Sequence, residues 1–180
     1  LFNKNIGRHP MYVEESTSIP WMVPHLKPHG LIFQLTAEPN VISPEEIRDN
    51  MAFWEWQVER LMEDTVPAAE RTHRFHRELQ VRKSYSKLRL AQANLYFERG
   101  LRREAETAIR QALRLYPAGP ETVQVATDIF IRLRKFGDAA QVLSDFARHD
   151  PTNSFIPLYN NLIREMRRRD TQRIELEEEL

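Results

Sequence analysis

Tyr96 and Phe130, Ala105 and Ala139, Ile109 and Leu143, and Pro117 and Pro151 are pairs separated by one and the same interval. Four pairs of like residues at one spacing mark a repeated supersecondary unit, because a recurring unit sets its large, small and chain-stopping residues at the same places. In residues 93–117, "ANLYFERGLRREAETAIRQALRLYP", each part has its residue. Ala93, Ala105 and Ala112 let helix axes approach where a larger side chain would hold them apart. Tyr96 supplies the bulk between them, Gly100 can take the left-handed conformation that ends a first helix, and Pro117 stops the second.

These residues, and the interval itself, resemble the tetratricopeptide repeat. The resemblance implies stacked helical hairpins with a concave groove lined by the first helix of each. The second unit, residues 121–151, departs from the pattern: Thr127 and Phe146 stand at small positions, and Gly137, taken as its turn glycine, falls three residues late. A third helix is expected from Phe155, Ile156, Tyr159, Leu162, Ile163 and Met166, which share one face at spacings of three and four. Arg164, Arg167, Arg168 and Arg169 give it the polar outer side of a capping helix. Residues 84–169 are thus read as repeats with their cap, and 170–180 as a charged, solvated tail.

Upstream, "SPEEIRDNMAFWEWQVERLM" predicts a helix with Ser43 as N-cap, Pro44 at its first position and Glu46 closing a capping box. Ile47, Met51, Trp54, Val58 and Leu61 form its apolar stripe, and Trp56 lies off it. From Pro67 to Gly100 the pattern predicts two helices with a break near residues 80–84, so 43–83 read as linking helices. Residues 1–42 differ in kind. "MYVEES" and "GLIFQL" read as two short strands, and the prolines at 20, 24 and 28 between them as a connector of fixed shape. The fold class expected is mainly α, with helical hairpins behind a small β element.

Lys plus Arg and Asp plus Glu balance at 26 each, but unevenly along the chain. Residues 1–70 carry 5 basic and 11 acidic side chains, 71–114 carry 12 and 4, and 115–180 carry 9 and 11. The basic block from Arg71 to Arg114 reads first as the solvated face of amphipathic helices. Its sharper reading is a cationic face for the acidic N-terminal third, an anionic partner or phospholipid headgroups. Aromatic interleaving for base stacking is thin, so nucleic acid is not an expected partner. No cysteine is present, which excludes disulfides and thiolate chemistry and leaves the compartment open. The sequence shows no signal-peptide core and no long apolar run, and it begins at Leu1, which suggests an excised segment or a processed product and leaves room for targeting information upstream.

Candidate chemistry is sparse. His25 and His29 have the four-residue spacing of helical zinc ligands, but Pro24 and Pro28 disfavour an α-helix there, and His73 and His76 read as surface residues. An enzyme reading would place a site around Glu14, Trp21, His25 and His29. Glu14 and Glu15, adjacent on a strand, would point to opposite faces. No phosphate loop, nucleophile elbow or metalloprotease signature occurs, so neither catalysis nor a cofactor or metal is expected within this chain.

Residues 7–35, "GRHPMYVEESTSIPWMVPHLKPHGLIFQL", resemble the segment that follows the membrane-embedded part of bacterial multi-pass proteins related to protein O-mannosyltransferases. Pro10, Tyr12, Gly30, Leu31 and Leu35 carry the match, with His9 where arginine is more usual. The resemblance implies the soluble extracytoplasmic, periplasmic C-terminal part of a membrane glycosyltransferase whose catalytic acid lies far upstream. The function expected is a non-catalytic interaction domain that holds a protein or peptide, with its own upstream membrane domain as a further partner. Groove residues expected from the first helices are Lys87, Asn94, Gln124 and Asp128. The alternative is a stand-alone cytoplasmic scaffold of the same repeat type.

Overall fold

A three-stranded antiparallel sheet stands near the N-terminus, in the order β1 (Met11–Val13), β3 (Ile32–Leu35), β2 (Leu26–His29). The computed structural model describes residues 9–14, 20–63 and 71–178, with backbone alone at 71–77 and 178. The two expected strands do pair, Met11 opposite Leu35 and Val13 opposite Phe33. The stretch between them is more than a connector: after a 3-10 helix, Pro20–His25, it yields β2, which pairs with β3 through a turn at Gly30 and Leu31. Pro28 is tolerated because β2 is an edge strand, where a missing N–H breaks no inner ladder. Alternation buries Leu26, Pro28, Phe33 and Leu35 on one face of the sheet.

The rest of the described chain is mainly helical. The expected capping box forms on α1 (Pro44–Met62): the Ser43 side chain accepts from the Glu46 N–H at 3.2 Å, and the Glu46 carboxylate accepts from the Ser43 N–H at 2.7 Å. Trp54 and Val58 of its stripe are buried and pack with Leu115, Leu31, Phe53, Tyr85 and Leu88. Trp56 is exposed, under the Arg60 guanidinium.

The expected break near 80–84 is absent. Residues Arg71–Glu98 form one helix, α2, because no proline or glycine interrupts 71–99 and every residue around the supposed break is compatible with a helix. It turns at Gly100 into α3 (Arg102–Leu115). Gly100 has φ of 75°, its N–H donates to the Phe97 carbonyl, and the Leu101 N–H donates to the Tyr96 carbonyl at 2.8 Å. This is a Schellman ending, in which the left-handed residue lets the last carbonyls of the helix find donors.

The chain divides into two compact units, Leu1–Tyr116 and Pro117–Leu180. The second holds α4 (Pro120–Arg132), α5 (Phe136–Ala147) and α6 (Phe155–Glu178). Here Gly137 is not the turn residue; it lies inside α5. The turn is made by Arg134 at φ 61°, whose N–H donates to Ile131 while the Lys135 N–H donates to Phe130 at 2.8 Å. Each of these residues stands one repeat after its counterpart in the first hairpin. Tyr96, Ala105, Ile109, Phe130, Ala139 and Leu143 are all buried.

The departures in the second hairpin have physical causes. Thr127 is buried, and its hydroxyl is satisfied by the Val123 carbonyl of its own helix at 2.7 Å. Phe146 occupies a small-residue position because the Phe155 ring stacks on it at 5.2 Å, so the added bulk meets α6. Residues 170–178 continue α6, and positions 171–177 are exposed.

Candidate functional site

The most unusual group in the first unit is Arg89, a wholly buried arginine on α2. Its Nε donates to Gln111 at 2.8 Å, one terminal nitrogen donates to Gln92 at 2.9 Å and Asn50 at 3.4 Å, and the other meets the Met51 sulfur at 3.0 Å. Its guanidinium lies over the Trp54 ring at 5.1 Å and the Tyr96 ring at 5.9 Å. The acceptors here are all neutral, so the cation is held by dipoles and ring faces. Burial pushes its pKa down to about 10, against a smaller raising effect from Tyr96, and it stays charged at neutral pH. Burial likewise raises the Tyr96 phenol, which donates to Asn50 Oδ1 at 2.9 Å.

The same network reaches the sheet. The Gly30 carbonyl accepts from Gln92 Nε2 at 2.6 Å, Trp54 Nε1 at 3.2 Å and Asn50 Nδ2 at 3.4 Å. Gly30 has φ of 59°, a conformation that aims this carbonyl inward and that side chains other than glycine adopt at a cost. Arg99, just past the end of α2, donates to the carbonyls of Val23, Pro24 and Asn40. Arg89 and Arg99 together fix the β element against α1 and α2.

The basic block therefore does more than solvate helices. Arg89 is buried, Arg99 binds backbone carbonyls of the N-terminal third, Arg82 donates to the Leu61 carbonyl at 3.0 Å, and Arg114 pairs with Glu59. The arginines meet the N-terminal third mainly through carbonyl oxygens. No sequence signal distinguishes Arg89 from its exposed neighbours except its place one helical turn before Ala93, on the inward face of α2.

Of the four expected groove residues, Lys87 and Asn94 are exposed on α2, two helical turns apart and so on one face. Gln124 and Asp128 lie on α4 in the second unit, where the Tyr159 hydroxyl of α6 accepts from Gln124 and donates to Asp128. The C-terminal helix thus already engages that pair. Of the residues of the enzyme reading, Trp21 and His25 come together. His25 Nδ1 lies 3.0 Å from the Thr36 carbonyl and its ring meets Trp21 edge-on, while His29 packs beside Tyr12 at 5.0 Å. Among the described residues, no group of three histidines or carboxylates is placed to hold a metal. The side chains of His73 and His76, and Glu15, lie outside the described residues.

Comparison with protein-family models, with curated proteins and with solved structures returns no match. Among the described residues no helix is long and apolar enough to cross a membrane. What the arrangement presents is two exposed polar side chains, Lys87 and Asn94, on a helix whose other face joins a buried polar network.

Proposed function

We propose that this chain is a non-catalytic helical-repeat interaction domain, the soluble extracytoplasmic C-terminal part of a membrane glycosyltransferase-like protein, which holds an acceptor polypeptide or partner. The observation that carries the reading is the recurrence of one hairpin turn: Gly100 and Arg134, one repeat apart, share a left-handed backbone and the same pair of closing hydrogen bonds. A hairpin repeated at this period supports the tetratricopeptide resemblance, and such repeats use their first helices to bind extended chains.

Lys87 and Asn94 are exposed positions on the first helix of the first hairpin. The helix rises about 10.5 Å between them, the length of about three residues of extended peptide. The ammonium would take a carboxylate or carbonyl, and the amide can both donate to and accept from a peptide backbone. Arg89 and Arg99 act behind this face by holding α2 against the β element, which fixes where the two donors stand.

Alanine at both Lys87 and Asn94 tests the assignment. Binding to a library of short unstructured peptides, read by fluorescence anisotropy, is expected to weaken about tenfold or more, since each lost charged or polar contact is worth about 0.5–1.5 kcal/mol or more, and thermal unfolding is expected to stay unchanged. Peptide binding equal to the unaltered chain would overturn the groove assignment.

A further inference from the structure

One face of α6 is used within the second unit. Tyr159 and Ile163 are buried, and Phe155 stacks on Phe146 and meets Tyr159 edge-on. An adjacent face of the same helix points to solvent: Leu158, Leu162, Glu165, Arg169, Gln172 and Leu176 recur at spacings of four, three, four, three and four. Leu158 is 65% exposed, Leu162 40% and Leu176 62%. Alternating steps of three and four are the seam of two helices packed side by side.

The stripe is complementary to itself when reversed. With the helix laid antiparallel on a copy of itself, Leu158 falls opposite Leu176, Leu162 opposite Gln172 and Glu165 opposite Arg169. In this register Glu165 of each copy faces Arg169 of the other, whereas parallel pairing would set Glu165 on Glu165 and Arg169 on Arg169. In a single copy Glu165 already bonds Arg169 at 2.8 Å and Arg168 at 3.1 Å, so both charges are held at the seam.

We propose that this face of α6 is a homodimer seam, occupied by α6 of a second copy in antiparallel register. Such an interface is isologous, each copy offering the same patch. Three leucines per helix make it a weak one, with association expected in the range of roughly 1–100 µM. The seam lies on a different helix from Lys87 and Asn94 and does not depend on what they bind.

Sedimentation equilibrium of the whole chain is expected to show a mass rising from 21.4 kDa toward twice that value with concentration. Leu158→Asp is expected to hold it at the lower value, and so is Arg169→Glu. The double variant Glu165→Arg with Arg169→Glu is expected to restore association. Orientation is read with cysteines, of which the chain has none. Mixing a Leu158→Cys chain with a Leu176→Cys chain under oxidant should give the mixed disulfide dimer in excess over either self-pair. A single mass at all concentrations would overturn the proposal and leave the face to another polypeptide. Dimers that survive Leu158→Asp, or self-pairs that dominate, would overturn the assigned seam or its direction.

Discussion

Arg134 repeats the backbone of Gly100 one repeat later in the chain, with φ of 61° against 75°, and closes the same two hydrogen bonds. A left-handed residue with a side chain costs about 1–2 kcal/mol relative to glycine. Arg134 has something to set against that cost, since its guanidinium pairs with Asp170 on α6.

The pair therefore responds differently to substitution. A Cβ at Gly100 would meet nothing within 4 Å, so Gly100→Ala is expected to destabilise by the backbone strain alone, about 1–2 kcal/mol in urea unfolding. Arg134→Gly should lie within about 0.5 kcal/mol of the unaltered chain, relief of strain offsetting the lost ion pair. Arg134→Ala keeps the strain and loses the pair, and should be the less stable of the two by about 1 kcal/mol. Equal stability of the two Arg134 variants would contradict a left-handed turn there.

Removal of Arg89 should be far more costly than its surface neighbours suggest. Arg89→Ala takes the Arg89 donor from Gln111 and Gln92, leaves Asn50 Oδ1 to the Tyr96 hydroxyl, and opens space beside Trp54 and Tyr96, and a loss of about 3 kcal/mol or more is expected. Arg89→Lys should recover little, because an ammonium cannot reach the same acceptors from one plane. Exposed Arg102→Ala, by comparison, should change stability by less than about 0.5 kcal/mol.

The turn glycine of the β element gives a parallel test. A Cβ on Gly30 would stand 3.7 Å from the Phe53 ring, ordinary contact, so Gly30→Ala is expected to be limited by its positive φ to about 1–2 kcal/mol. Because the Gly30 carbonyl accepts from Gln92, Trp54 and Asn50, a larger loss would mean that the carbonyl had moved.

Glu46 supplies the pH dependence. Burial is the largest single effect on its pKa and raises it, but the hydrogen bonds from Lys27 and Ser43 and the Lys27 charge together outweigh burial and hold it below its ordinary 4.5. A carboxylate whose folded value lies below its unfolded one stabilises the fold above the unfolded value, and that contribution disappears as pH falls through the folded one. Glu46→Gln is therefore expected to cost about 0.5–2 kcal/mol at neutral pH, the range of a lost cap. The difference from the unaltered chain should shrink once pH drops below 4.5; a difference that stays constant through strongly acid pH would contradict the cap.

Much of this fold is visible in the residues because the relevant forces are local. Ser43, Pro44 and Glu46 specify a helix start within a single turn, and the alternation of Ile32–Leu35 specifies a half-buried strand. The constant interval between the two hairpins reports packing that repeats, so Tyr96 and Phe130 can be matched before any contact is known. What was hidden depends on partners distant in sequence. Strand β2 exists because Leu26 and Pro28 find Leu35 and Phe33, while Pro28 and the nearby Pro24 argue locally for a connector. Arg89 reads as one more basic residue until Asn50, 39 positions away, is seen to accept from it. Gly137 misleads for the converse reason: glycine is the usual left-handed residue, yet here Arg134, paired with Asp170, takes that place.

Membrane fractionation of the source cells, probed with an antibody raised against this chain and read for apparent mass, tests the proposed role most directly. The account predicts a membrane-bound species several times heavier than 21.4 kDa. A soluble species near 21.4 kDa would contradict it and leave a free-standing repeat scaffold in its place.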